Sequence, residues 1–412
     1  CPIFRLYLFR NWIAAGERAP LASLQFNMET LPVAKLSRLA LGALCAAATL
    51  PAFAHAEEFT PETVTLKETI DPGPNVFVYQ QELKGAGTIA VFGKDDLAFK
   101  GLMTAGVMGQ MLIGADGKTA YGQSNYMNRL THGPNEQVLE IYDIARLSAT
   151  REVILPPKAT QALGYVPMLQ QTATGKFLLV QNATPATSIT IVDLAAGAVT
   201  DAIPTPGCYG IYPSAAGDKF ATACGDGTFV SFTLGADGKM ADKLAGEKAF
   251  DVDADPVFIT AAPYDGGYVF VTYGGKAIVL KDADGPLKTV ETIALTDGIE
   301  GGWAPGGYEL VAVNAKTGVL FITMHPDAKD GSHKAAAHEI WAYDLKAKKL
   351  LSRSPVEHIV SIAVSPDEKP VLFGTTETGA LMRFETDPAA GYALKAAGEA
   401  ALTGFPLVVQ VV

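Results

Sequence analysis

The sequence is short of several things that would each announce a function. It has no excess of positive charge: 32 Lys and Arg stand against 43 Asp and Glu, a formal net charge of −11. A basic footprint for nucleic acid is therefore absent. No apolar run reaches the roughly 20 residues that a bilayer-spanning helix needs. The richest run, Leu39 to Pro51, is short and alanine-rich. There is no CxxCH for covalent haem, no glycine-rich phosphate loop, no nucleophile elbow and no HExxH. Helical periodicity is nearly missing. The apolar segments are short, rich in Val, Ile, Phe and Tyr, and bounded by Gly, Asp and Pro, which is the pattern of strands.

Cysteine is scarce too, and its placement depends on where the mature chain begins. Lys35 and Arg38 precede the apolar run, and Ala54-His55-Ala56 follows it before Glu57-Glu58. A charged n-region, a short h-region and a small-x-small site predict a secretory signal peptide over residues 28–56, starting at Met28. Residues 1–27 then read as an over-extended reading frame, and residues 57–412 as a single domain. Leu44 is too large for the position before a lipidated Cys45. From residue 57 onward the net charge is −14 and only Cys208 and Cys224 remain. An even pair in an oxidising compartment predicts one disulfide. The intervening YGIYPSAAGDKFATA reads as a strand, a Gly-Asp turn and a returning strand, which brings the sulfurs together. A redox or metal-binding pair would call for a CxxC spacing, which is absent.

What the chain does have is a repeat. Turn-plus-strand segments of one kind begin near Asn75, Asp116, Thr174, Gly217, Gly266, Thr317 and Lys369. Each is followed by a partner strand ending in a polar turn, such as TIAVFGKDD (88–96), SITIVDLAAG (188–197) and EIWAYDLKA (339–347). Third strands follow at ATREVILP (149–156) and LKTVETIAL (287–295). The first and last starts lie 294 residues apart over six intervals, a mean period of 49. Seven four-stranded antiparallel units predict an all-β, seven-bladed β-propeller. An open edge between first and last blades would expose unpaired backbone groups. The C-terminal LVVQVV (407–412) is placed to close it, with Phe59 to Ile70 as another candidate.

Two local clusters invite a metal. His325, His333 and His338 lie close together with Asp327 and Asp330 among them, but at no helix-borne or tetrahedral zinc spacing. In a loop between blade strands they read as polar contacts at a surface or interface. Asp251, Asp253 and Asp255 alternate as in a calcium loop, yet Pro256 stands where Gly is required and Ala262 where the bidentate Glu belongs. A propeller can also house chemistry in its central channel with residues drawn from every blade, which leaves no linear motif.

Several segments of the second half resemble the heavy subunit of quinone-cofactor amine dehydrogenases. They are Pro206-Gly207-Cys208-Tyr209, Cys224-Gly225-Asp226-Gly227, Asp255-Pro256-Val257-Phe258-Ile259, Trp303-Ala304-Pro305-Gly306-Gly307-Tyr308, Met324-His325-Pro326-Asp327 through His333-Lys334, and Glu339-Ile340-Trp341. The similarity is most specific from about Thr205 to Asp344. It looks closest to the aromatic amine dehydrogenase branch, with methylamine dehydrogenase as a relative. The resemblance implies a periplasmic propeller paired with a small disulfide-rich light subunit, two heavy and two light chains together. It further implies that tryptophan tryptophylquinone and the catalytic aspartate reside on the light chain. The assembly would oxidise primary amines to aldehyde and ammonia and pass electrons to a small copper protein. Beyond residue 56 this chain has only Trp303 and Trp341, far apart in sequence, which fits a heavy subunit that carries no quinone. An aromatic residue borders the substrate passage in the methylamine branch. Here Val107 or Met108, in Gly106-Val107-Met108-Gly109, takes that place without an aromatic ring, leaving the preferred amine open. The histidine loop with His325, His333 and His338 reads as an interface. A free-standing secreted propeller used as a binding scaffold and a metal-dependent propeller hydrolase or lactonase remain as alternatives, because fold alone does not fix function.

Overall fold

The computed structural model describes residues 67–82, 85–130, 132–282 and 285–412. The expected signal segment 28–56 and the stretch 1–27 lie outside the described residues. Glu68–Val412 forms one compact unit, and among its described residues every sheet is antiparallel. No helix of the described residues is long and apolar enough to cross a membrane.

The unit is a β-propeller of four-stranded blades. Sheets two to five each use consecutive strands: Gln110–Ile113 through Ser148–Leu155, Leu169–Gln171 through Ala198–Pro204, Cys208–Pro213 through Met240–Ala245, and Val257–Tyr264 through Lys288–Ala294. The first sheet is the exception. Its first strand is the C-terminal Phe405–Val411, which pairs with Asn75–Gln81, followed by Thr88–Gly93 and Phe99–Thr104. The chain end thus closes the ring, as LVVQVV predicts.

Where seven separate sheets are expected, five four-stranded sheets and one of eight strands are found among the described residues. The cause is one continuous strand, Lys349–Val364. Its first part, Lys349 to Pro355, pairs with Ala337–Asp344, and its last part, Ile359 to Val364, pairs with Val371–Thr376. The two halves of this long sheet nevertheless pack face to face: Phe321, Ile340 and Ala342 share a core with Ile359, Ile362, Leu372 and Phe384.

Burial follows sheet order. Second and third strands are nearly all interior, as in Asn75–Gln81 and Phe177–Asn182, whereas last strands such as Met240–Ala245 are exposed along their length. The first strands of neighbouring sheets touch one another, as Gln110–Ile113 touches Leu169–Gln171 and Lys349–Val364 touches Phe405–Val411, so these strands line the axis. Apolar clusters fill each gap between successive sheets, including one that joins the last sheet to the first through Phe373, Leu381, Val76 and Val409. The recurring Asp and Asn of the turns have a local duty. Asp116, Asp143, Asp193 and Asp344 each accept backbone N–H groups two and three residues on, closing Asx turns.

Cys208 and Cys224 are opposite each other on adjacent strands and are joined in a disulfide. With a sequence separation of 16, the cross-link restricts the unfolded chain by about 3 kcal/mol in the loop-entropy model. Reduction is expected to shift the urea midpoint down by that amount; an unchanged midpoint would mean the bond adds nothing to stability. Truncation after Gly404 removes Leu407, Val408 and Val409, all buried. At about 1.5–3 kcal/mol each, plus a newly open edge, the loss rivals a typical total stability of about 5–15 kcal/mol. The truncated chain is expected to lack a cooperative thermal transition, and a native-like melt would refute the closing role.

Candidate functional site

Antiparallel blades send two kinds of loop to one face: those leading into the first strands, and those joining second to third strands. One of the longer connections at this face runs in over the first strands. The chain between Ser148–Leu155 and Leu169–Gln171 enters over Ala159, whose N–H donates to Gln137 Oε1 at 2.7 Å. It then crosses the axis and ends in a single 3-10 turn, Val166–Met168. That turn packs against first strands of four successive sheets, from Gln110–Ile113 to Val257–Tyr264. We call residues 159–168 the strap.

Three successive strap N–H groups are held by three side chains from different parts of the ring. Gly164 N–H donates to Gln81 Oε1 at 3.3 Å, Tyr165 N–H to Gln110 Oε1 at 3.0 Å, and Val166 N–H to Glu309 Oε1 at 2.7 Å. All three acceptors are buried. On the far side, Gln170 Nε2 donates to the Val166 carbonyl at 2.7 Å. Gly164 is required by close approach, since a Cβ there would lie 2.6 Å from the Tyr79 ring.

Around the strap gathers an aromatic mouth. The Tyr165 and Tyr308 rings are 6.3 Å apart, Tyr308 meets Phe405 edge-on at 5.6 Å, and Tyr273 stacks on His333 at 4.7 Å. Tyr209 and Thr160 share a hydroxyl contact of 2.8 Å. Tyr165, Tyr209, Tyr273 and Tyr308 are each half-buried, and burial pushes their hydroxyls above the usual range, Tyr165 also through the nearby Glu309 carboxyl. His333 is pushed down by burial and by Lys334. Glu309 is 6% exposed, and desolvation pushes it up to about 8, against the pull of the Val166 N–H. A carboxyl of this kind is neutral at pH 7. At the opposite end of the ring lies a cavity of about 380 Å³, bordered by Gln170, Tyr212, Pro213, Tyr264, Tyr268 and Asp282. Gln170 therefore links the strap to the cavity.

The residues singled out from sequence fall on or beside the strap face. Val107 is buried and Met108 half-buried; Met108 has φ 49, and the carbonyls of both accept from the Asn125 side-chain amide at 2.8 and 3.1 Å. The Val107 side chain thus points inward. The histidines separate. His338 is exposed and His333 half-buried against Tyr273, whereas His325 is 3% exposed, so its ring belongs to the blade interior and not to the loop surface. Among the described residues no three His, Cys, Asp or Glu converge as a metal-binding group. Trp303 and Trp341, distant in sequence, have rings 5.6 Å apart. Separation along the chain was therefore a poor guide. The Arg353 guanidinium lies over both indoles and pairs with Glu339, which also accepts the Trp341 N–H. Sequence reasoning missed Glu309, Gln81, Gln110 and the strap. The one available signal was a lone acid, Glu309, opening the apolar run Leu310 to Val313.

Adding a methyl at Gly164 is expected to cost about 1–3 kcal/mol, the usual price of overpacking, read as a lower urea midpoint for Gly164→Ala. An unchanged midpoint would mean that the strap is not seated on Tyr79.

Comparison with known proteins places this architecture. The family model described as methylamine dehydrogenase heavy chain (MADH) matches residues 78–402, reaching into all six sheets. The methylamine dehydrogenase heavy chain of Methylorubrum extorquens is 28% identical over 337 residues, 80% of this chain and 81% of that one. Its counterpart in Methylophilus methylotrophus is 25% identical over 306 residues, covering 73% and 74%. Among solved structures, a Bacteroides fragilis protein provisionally described as a 6-phosphogluconolactonase aligns with a TM-score of 0.56 at 14% identity, covering 83% of this chain and 100% of that chain. At such identity the likeness shows the fold alone. The match from Val78 to Leu402 decides the family: this chain belongs to the methylamine dehydrogenase heavy chains.

Proposed function

We propose that this chain is the heavy subunit of a periplasmic quinoprotein amine dehydrogenase, and that its eight-stranded sheet counts as two blades of a seven-bladed ring. The observation that carries the functional reading is the family match across residues 78–402. In this reading a small, disulfide-rich light subunit holds tryptophan tryptophylquinone and the catalytic base, and two heavy and two light chains assemble. That cofactor supplies the oxidation of primary amines to aldehyde and ammonia, with a small copper protein as electron acceptor. This chain contributes scaffold and part of the substrate passage. Its own tryptophan pair does not suit a quinone. Trp341 is fully buried and Arg353 lies over both rings, which leaves no open position for an amine to approach.

The strap face is the surface we assign to the light subunit. It presents half-buried tyrosines, the residue type enriched in interface cores, together with His333 and His338 in the loop assigned to subunit contacts; His325 supports that loop from below. Val107 and Met108 sit at the edge of the same face, where the family resemblance puts the wall of the substrate passage. Neither residue is aromatic, and the preferred amine stays open. A water-excluding quinone site needs fixed walls, and a strap tied down at three successive N–H groups provides one.

Purification from the periplasm tests the reading. The chain is expected to copurify with a small cysteine-rich subunit bearing quinone absorbance, and the isolated chain is expected to show no amine oxidation. Turnover by the isolated chain, or purification of an active species without a small subunit, would overturn it.

A further inference from the structure

Among the described residues Glu309 is the buried carboxyl that ties the strap to the ring, and no cation of those residues acts on it. Burial and the Val166 N–H are what act on it. The ionisable groups coupled to it are Tyr165 on the strap and Tyr212 on Cys208–Pro213, both held protonated by burial; Tyr308, beside it in the chain, is raised by burial and by Glu377. From Lys349–Val364, the Ser361 hydroxyl accepts the Glu309 N–H at 3.2 Å and the Ile362 N–H donates to the Glu309 carbonyl at 2.7 Å. The neighbouring Gly307 N–H donates to the His333 carbonyl at 3.1 Å, and the His333 ring titrates below its ordinary range.

We propose that Glu309 is a protonation-controlled latch: in its neutral form it holds Gly164–Val166 across the axis, and its ionisation is coupled to the strap lifting away. The geometry gives the reason. Oε1 reaches the strap only in the closed arrangement, where the carboxyl is out of water. The strap is one wall of that enclosure, with the Val166 N–H on Oε1 and the Tyr165 side chain beside it, so a carboxylate gains water when the strap moves. Lifting also breaks the Gln170 contact to the Val166 carbonyl, and Gln170 borders the cavity at the other end of the ring. The latch concerns the chain with no partner seated on the strap face, the state in which the strap has room to lift and the one in which it is tested.

The sign follows from linkage. The closed state keeps its proton up to about pH 8, whereas a hydrated glutamate releases it near its ordinary value of about 4.3. Between those limits each lifting event releases one proton, so the lifted population rises up to about tenfold per pH unit and levels off on either side.

Hydrogen exchange on the full chain, corrected for the intrinsic pH dependence of amide exchange, reads this directly. In the native protein, protection of residues 163–168 is expected to fall up to about tenfold per unit between about pH 5 and about pH 8. In Glu309→Gln, which keeps the acceptor and cannot ionise, protection should be flat, and Phe177–Asn182 should be flat in both. His333→Gln separates any contribution from that ring and should retain the native slope. A flat native profile, or the native slope persisting in Glu309→Gln, would overturn the latch. Should Glu309→Gln fail to fold, the protonated-carboxyl C=O band of the native protein in infrared spectra decides. Its loss near pH 8 is expected, and its loss together with the surface carboxylates near about pH 4 would refute the proposal.

Discussion

Everything in this protein depends on one strand pairing, that of Phe405–Val411 with Asn75–Gln81. It joins the two ends of the propeller unit and removes the free edge that a linear series of blades would otherwise present. Leu407, Val408 and Val409 are buried on both sides of that strand, so closure is secured by apolar packing as much as by the ladder. Once the ring is closed, its first strands face the axis and its last strands face water. The loops at the strap face are then held at fixed positions by blades that cannot slide.

The strap turns that scaffold into a site. A through-channel would need some other way to fill its middle. Here residues 159–168 cross it, and Gln81, Gln110 and Glu309 each receive one N–H from three successive residues. A loop anchored at consecutive backbone donors has little freedom left. It can therefore serve as a wall for another subunit, or as a cover whose release is tied to a single proton. The two roles use different atoms: the tyrosine rings look outward, and the carboxyl lies beneath.

Much of the architecture could be read from sequence because it rests on local physics. Each Asp or Asn turn closes its own hydrogen bonds, and the second and third strands of every blade are apolar enough to stand out. The disulfide was legible because Cys208 and Cys224 bracket a hairpin. What could not be read is non-local. The first strands are short, like the four-residue Gln110–Ile113, and carry little pattern. The burial of Glu309 depends on a strap some 143 residues away in the chain. Trp303 and Trp341 meet only because the lead-in to the sixth sheet folds back on it. His325 looks like its loop neighbours in sequence but is the last residue of a buried strand. The merging of two blade units through Lys349–Val364 likewise has no sequence mark beyond the absence of a turn between them.

The central claim is that this chain is a closed scaffold that offers its strap face to a catalytic partner. Hydrogen exchange of the purified chain, compared with the chain in complex with a copurified small subunit, tests it most directly. The account predicts new protection at residues 105–109, 163–168, 305–308 and 332–338, with none at residues 263–268 beside the cavity on the opposite face. Protection confined to that opposite face, or none on either, would contradict it.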